Sequence, residues 1–253
     1  MKIAILMYGL FRSPLTPLFW KNAFPKGCDI FLFSTFTSSP FTPRSGDVPL
    51  LSNNTFPGIA AAKVWSVVDQ TRFDADIGID TLVKRRIDPF HTKGKSSLRN
   101  AVRALYQMEK LADLFLLHNK TGAFTHVVLT RVDLLFTRRM TNTSVFEKNV
   151  VVPSYADNGG VNDRFLAGPA NEVVSLMRRV SDWKQSGLVA EKLLQYVARR
   201  RGIVLHRKRV GLNRRVRGDG SLHACQYDPE QGCKYDSATN ILEVRDHLPL
   251  TWC

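Results

Sequence analysis

An α/β fold, a mixed and mostly parallel sheet flanked by helices, is predicted by three features of this sequence. Continuous apolar runs at residues 2–10, 28–33 and 126–129 read as buried strands. The segments between them are long enough for crossovers, which parallel neighbours require. Over 97–118 the apolar residues Leu98, Val102, Leu105, Met108, Leu111 and Leu114 recur at spacings of three and four, which marks an amphipathic helix.

The first run leaves the sheet through Tyr8-Gly9-Leu10-Phe11-Arg12. It lacks a small-residue cleavage site, so it reads as a first strand rather than a signal peptide. Between it and the second run, a segment with Trp20 and Phe24 has room for one crossover helix. Residues 37–58 are rich in Ser, Thr, Pro, Asn and Gly and read as a long surface loop, the kind of segment that closes over active sites. A short strand is predicted at 63–68. The third run continues directly into Thr130-Arg131-Val132-Asp133-Leu134-Leu135-Phe136.

Another short strand is predicted at 150–152, followed by an Asp157-Asn158-Gly159-Gly160 loop and a strand over 164–167 that stops at Gly168-Pro169. Helices are expected at 170–184 and 189–200, then a strand at 203–206. The whole reads as one domain over 1–220, with 221–253 as a C-terminal extension packed on it or trailing it. No internal repeat is visible, and no apolar run reaches the ~18 residues of a membrane span. The expectation is a soluble chain, cytoplasmic unless a longer form carries an anchor to the Golgi lumen.

The formal net charge of +14 favours phosphorylated or polyanionic partners. The excess is concentrated: residues 199–217 hold nine Lys or Arg and no acidic residue. This run ends in Arg214-Arg215-Val216-Arg217-Gly218-Asp219-Gly220, where arginine forks and close-packing glycines suit a diphosphate. A nucleic-acid strip would use the same cations, but the run lacks the Phe, Tyr or Trp on which bases stack. Of the four cysteines, Cys225 and Cys233 could bridge a local loop or join His223 at zinc. No CxxC or HxxxH spacing supports the metal, and free thiols are the default. Patterns for P-loop NTPases, dinucleotide-binding dehydrogenases, zinc proteases and serine hydrolases are missing from the sequence.

The remaining candidates lie where strands end. Asp133 follows an apolar strand at the edge where open α/β sheets bind ligands, although an Asp there also turns the chain. Asn162 and Asp163 follow the double glycine and suit hydroxyl recognition or deprotonation; the structural alternative is an Asx turn with Asp163 paired to Arg164. Glu191 opens a helix, where the macrodipole favours a carboxylate whatever its role. Gly9 and Arg12 sit at the mouth of the first strand, a natural phosphate position. Arg99, Asn100 and Arg103 share one turn of the long helix and form either a polar edge toward a nucleotide or a solvated face.

Taken in order, the segments 3–12, 28–33, 99–106, 130–136, 162–168, 191–196 and 215–220 resemble a family of GT-A-type glycosyltransferase-like proteins of algae, plants and large viruses. The resemblance spans residues 1 to about 220 and rests on the order of short motifs. It implies a GT-A (Rossmann-like) fold and a hexosyl- or pentosyl-transferring enzyme. Such an enzyme takes a nucleotide-sugar donor and a glycan, protein or small-molecule acceptor.

The resemblance also implies Mn²⁺ or Mg²⁺ held by an Asp-x-Asp, in which Asp133 is the second carboxylate. Here the sequence departs from the pattern, because Arg131 stands where the first Asp belongs. Gly9, Arg12, Arg99, Asn100, Arg131, Asp133, Asn162, Arg215 and Arg217 become the expected donor-binding residues. Asp163, with Glu191 as substitute, becomes the expected base. Two other readings stay open: an inactive nucleotide-sugar-binding relative, and a nucleic-acid-binding module built on 199–217.

Overall fold

The structure is a computed structural model that describes residues 1–10, 28–36, 62–84, 95–136, 147–154, 159–186, 188, 190–208 and 213–215. In chain order the elements are β1 (Ile3–Leu10), β2 (Asp29–Phe36), β3 (Val64–Asp69), α1 (Gln70–Ile77), α2 (Ile79–Lys84), α3 (Lys95–His118), β4 (His126–Arg131), β5 (Leu134–Phe136), β6 (Val150–Pro153), β7 (Phe165–Pro169), α4 (Ala170–Met177), α5 (Val180–Ser186), α6 (Ala190–Arg200), β8 (Leu205–Lys208) and β9 (Asn213–Arg215). The expected crossover helix before β2, the 37–58 loop, the 221–253 extension, Arg12, Arg217 and three of the cysteines lie outside the described residues. Cys28 is a half-buried free thiol, its pKa pushed up by burial and then by the charge of Asp29.

Among the described residues seven strands form one mixed sheet in the order β3-β2-β1-β4-β7-β6-β8. The first four run parallel, and β8 runs parallel to β6. Among the described strands of this sheet β7 alone is reversed, pairing antiparallel with both β4 and β6. Because of that reversal, β7 begins at the same edge at which β1 and β4 end. The expected mixed, mostly parallel α/β sheet is therefore observed.

The apolar runs form strands because both faces of the sheet are buried. Along β1, Ala4, Leu6 and Tyr8 join one core cluster while Ile5 and Met7 join another on the opposite face. The first cluster takes in Val102, Leu105, Met108 and Leu111 of α3, Val173 and Leu176 of α4, and Leu193 and Val197 of α6. Among the described residues the second cluster draws on no helix. Phe31 meets Phe115 and Phe124 edge to face at 5.5 and 5.6 Å, tying β2 to α3. Leu105 is 1% exposed at this interface, and its truncation to alanine would cost about 2–5 kcal/mol.

Several boundaries differ from expectation for local reasons. The helix expected over 170–184 is two helices, since Arg178 leaves helical geometry at φ −85° and ψ 46°. Gly168 and Pro169 lie inside β7 rather than beyond it. Proline is tolerated there because it is the last strand residue and the N-cap of α4. The short helix α1 starts where the Asp69 carboxylate accepts from the amides of Thr71 and Arg72 at 2.8 and 3.2 Å. It ends at Gly78, left-handed at φ 64°.

Candidate active site

The carboxyl ends of β1 and β4 open onto a cavity of about 320 Å³. Its walls include Tyr8 and Gly9 from β1, Arg131 from β4, Asp163 and Arg164 before β7, Asn100 and Gln107 from α3, and Ala190 and Glu191 from α6. Gly9 adopts φ 129°, a conformation strained for any side chain, and a Cβ there would come within 3.2 Å of the Val132 side chain. Its carbonyl accepts from Ser34 Oγ at 2.6 Å, and the neighbouring Tyr8 carbonyl accepts from the Val132 amide at 2.8 Å. These bonds lock the end of β1 to both of its neighbours.

One wall is a polar stripe on α3. Arg103 donates through Nε and Nη2 to the two carboxylate oxygens of Asp74 at 2.8 and 2.5 Å, and through Nη1 to Asn100 Oδ1 at 2.9 Å. Gln107, buried beneath them, donates to Thr35 Oγ1 at 2.9 Å. Arg99, one residue from Asn100, leaves the stripe: it pairs with Asp80 and lines a separate surface cleft beside α1 and α2. Of the three polar residues in that turn, Asn100 and Arg103 reach the cavity and Arg99 does not.

At the end of β4, Arg131 donates from Nε to Asp133 Oδ1 at 2.7 Å and from Nη2 to Asp133 Oδ2 at 2.6 Å. The Asp133 side chain is 1% exposed and that of Arg131 25% exposed. Burial alone would lower the Arg131 pKa, but the charge of Asp133 and its two hydrogen bonds outweigh burial and raise it above the ordinary arginine value. Asp133 thus sits behind the cavity wall and Arg131 forms the wall. Both Asp133 oxygens already face a guanidinium, and no group of three or more His, Cys, Asp or Glu side chains suited to a metal ion occurs among the described residues. A divalent cation held by Asp133 does not fit this arrangement.

The other acidic candidates enter from the segment before β7. Asn162 is fully buried, and its Oδ1 accepts from the Arg164 amide at 3.0 Å, the Asx turn that its position suggests. It shapes the loop rather than lining the cavity. Asp163 does line the cavity, but its charge partner is Arg179 rather than Arg164: Arg179 Nη2 donates to Asp163 Oδ2 at 3.2 Å. Arg179 has no exposed surface and also donates from Nη1 to the Leu176 carbonyl at 2.9 Å. The phenol of Tyr8 donates to the Asp163 carbonyl at 3.4 Å. Burial first, and the Asp163 charge second, push the Tyr8 pKa far above its ordinary value.

Glu191 reaches the cavity because α6 is docked against Gly160. A Cβ on Gly160 would lie 2.3 Å from the Glu191 carbonyl, and the Val161 amide donates to that carbonyl at 3.0 Å. The glycine therefore admits a helix backbone. Ala190, also lining the cavity, is held at φ 47°, a left-handed conformation unfavourable for alanine.

The cavity therefore gathers Gly9, Asn100, Arg131, Asp163 and Glu191, with Asp133 directly behind it. Arg215 in β9 pairs with Leu134 in β5, so the backbone of the basic run returns to the residue after Asp133. Sequence reasoning missed Tyr8, Gln107 and Arg179. For Gln107 a signal existed: Asn100, Arg103 and Gln107 recur at helical spacing along one flank of the apolar stripe. The basic run is not one strip either, since Arg200 and Arg201 both pair with the buried Asp182, and Arg207 donates to the Gly160 carbonyl at 2.9 Å.

No protein-family model matches the chain, and no curated protein matches it. No helix among the described residues is long and apolar enough to cross a membrane.

Proposed function

We propose that this protein is a glycosyltransferase that moves a sugar from a nucleotide-sugar donor to an acceptor hydroxyl. The observation that carries the reading is the convergence of an arginine, two carboxylates and a polar helix flank on one cavity at the carboxyl edge of the sheet. Open α/β sheets bind ligands at this edge, and the cavity volume falls within the range of small-molecule sites.

In the reaction, the acceptor oxygen bonds to the anomeric carbon, its proton passes to a carboxylate, and the nucleoside diphosphate departs with the electron pair of the broken bond. Asp163 and Glu191 are the carboxylates placed to take the proton. Arg131 is the cation placed to meet charge that grows on the leaving group. The donor and acceptor classes are those implied by the family resemblance.

A second reading, a binding protein that holds nucleotide sugars without turning them over, is favoured by one observation. Asp163 Oδ2 is already engaged by the buried Arg179 at 3.2 Å, an arrangement that also suits a purely structural carboxylate. Thermal-shift measurement with UDP, GDP and CMP sugars, followed by release of nucleotide in the presence of candidate acceptors, separates the two. Stabilisation with nucleotide release supports transfer, and stabilisation alone supports the binding protein. A chain stabilised by none of them is not a donor-binding protein.

A further inference from the structure

The Arg131–Asp133 pair does more than replace one residue of a metal motif. The geometry points to a metal-free phosphate anchor, in which Asp133 orients the Arg131 guanidinium from behind and the opposite edge of that guanidinium receives a phosphate oxygen of the ligand. This deepens the transferase reading and rests on it for the ligand's identity as a nucleoside diphosphate derivative.

The argument is one of donor directions. A guanidinium carries five N–H donors in a rigid planar fork. The bond from Nε to Oδ1 and the bond from Nη2 to Oδ2 together use the rear edge of that fork. Both N–H donors of Nη1 and the second of Nη2 point elsewhere, and Nη1 has no hydrogen-bond partner among the described residues. The side chain lines the cavity and keeps a quarter of its surface exposed, whereas Asp133 is closed off.

A carboxylate fixed behind a ligand-contacting group sets its direction, as outer partners do for metal-bound histidines. Arginine, unlike lysine, can accept that fixation on one edge and still offer paired donors on another. The β5–β9 pairing returns the backbone of Arg215 beside Leu134, the residue after Asp133.

The test is binding of inorganic pyrophosphate and of UDP and GDP to the full chain by calorimetry, in EDTA and in Mn²⁺. Dissociation constants equal within about twofold in the two conditions are expected for at least one probe. Arg131→Lys should weaken that binding by about tenfold or more despite keeping the charge, the loss associated with charge-assisted hydrogen bonds.

Removing one partner of the pair can also unfold the chain by leaving the other charge uncompensated. The double variant Arg131→Gln with Asp133→Asn avoids this, and it should fold, by circular dichroism and thermal melting, yet lose pyrophosphate binding. Three results overturn the anchor: binding that disappears in EDTA and returns with Mn²⁺, wild-type affinity in both variants, or no binding of any probe in either condition. The transferase reading fails separately, when metal-free binding is present but no sugar nucleotide gives up its sugar to any acceptor with release of the nucleotide.

Discussion

Arg179 and Asp163 form an ion pair at 3.2 Å in which the arginine is wholly buried and the aspartate borders the cavity. A cation with no access to water depends on its partner, because taking a charge out of water costs several kcal/mol that only a nearby counter-charge offsets. The pair therefore couples the fold to the site. Asp163→Ala should lower unfolding free energy by about 3–5 kcal/mol, measured by urea denaturation, and should impair the proposed transfer. Adding Arg179→Met to Asp163→Asn should recover most of that stability with no recovery of transfer. A single Asp163→Ala chain as stable as the parent would show that the pair contributes nothing.

The two cavity carboxylates differ in surroundings, and conservative variants of each separate their roles in the proposed transfer. Asp163 is pinned by Arg179, while Glu191 stands on the first turn of α6. If Asp163 takes the proton, Asp163→Asn lowers kcat by about 10²-fold or more with KM little changed, and Glu191→Gln has a smaller effect. The opposite ranking assigns the base to Glu191 and leaves Asp163 a positioning residue. Equal, small effects from both variants would remove general-base catalysis by either residue.

Gly160 should be the least replaceable glycine of the site. An alanine Cβ would overlap the Glu191 backbone at 2.3 Å, and backbone cannot rotate aside as a side chain can. Gly160→Ala should cost about 1–3 kcal/mol or more and displace the start of α6, reducing nucleotide affinity together with stability. Gly122→Ala serves as the comparison. Gly122, unlike Gly160, has positive φ, at 65°, but no atom lies within 4 Å of its added Cβ, so its cost should be limited to backbone strain and affinity should be unchanged. Urea melts and UDP titrations of the two variants decide the matter.

The sequence makes β1, β4 and α3 legible because each is governed by a short-range rule. Unbroken apolar runs belong to strands buried on both faces, and spacings of three and four belong to a helix with one buried flank. Gly9 and Asp133 could be placed at the ligand edge because the ends of β1 and β4 set that edge, whereas Asp163 reaches it through the reversal of β7 and Glu191 through the docking of α6 on Gly160. What could not be read depends on contacts between distant segments. Arg179 looks like any charged residue in a helical stretch until the break at Arg178 turns it inward. The pairing of β5 with β9 joins three-residue strands far apart in the chain, and such strands carry almost no periodicity. The short helices α1 and α2 bury only Phe73, Ile79 and Val83, too few apolar positions to define a period.

Tyr8 provides a test of the site's burial that needs no ligand. Its phenol lies against the Asp163 carbonyl, and burial together with the Asp163 charge raises its pKa well above the ordinary value near ~10. The folded chain therefore keeps this proton at pH values where the unfolded chain has lost it. Where the folded state binds more protons than the unfolded state, stability falls as pH rises. The Tyr8 contribution should be fully present below pH ~10 and diminish steadily above it, through the alkaline range up to the raised pKa. Tyr8→Phe removes the titrating group, so its unfolding free energy should fall less steeply between about pH 9.5 and 11 than that of the parent, approaching one proton's slope of about 1.4 kcal/mol per pH unit in the difference. Because the other tyrosines and the lysines titrate in both proteins, the difference isolates Tyr8. Parallel curves for the two proteins would mean that the phenol is hydrated in solution and that the inner end of the cavity is open to water.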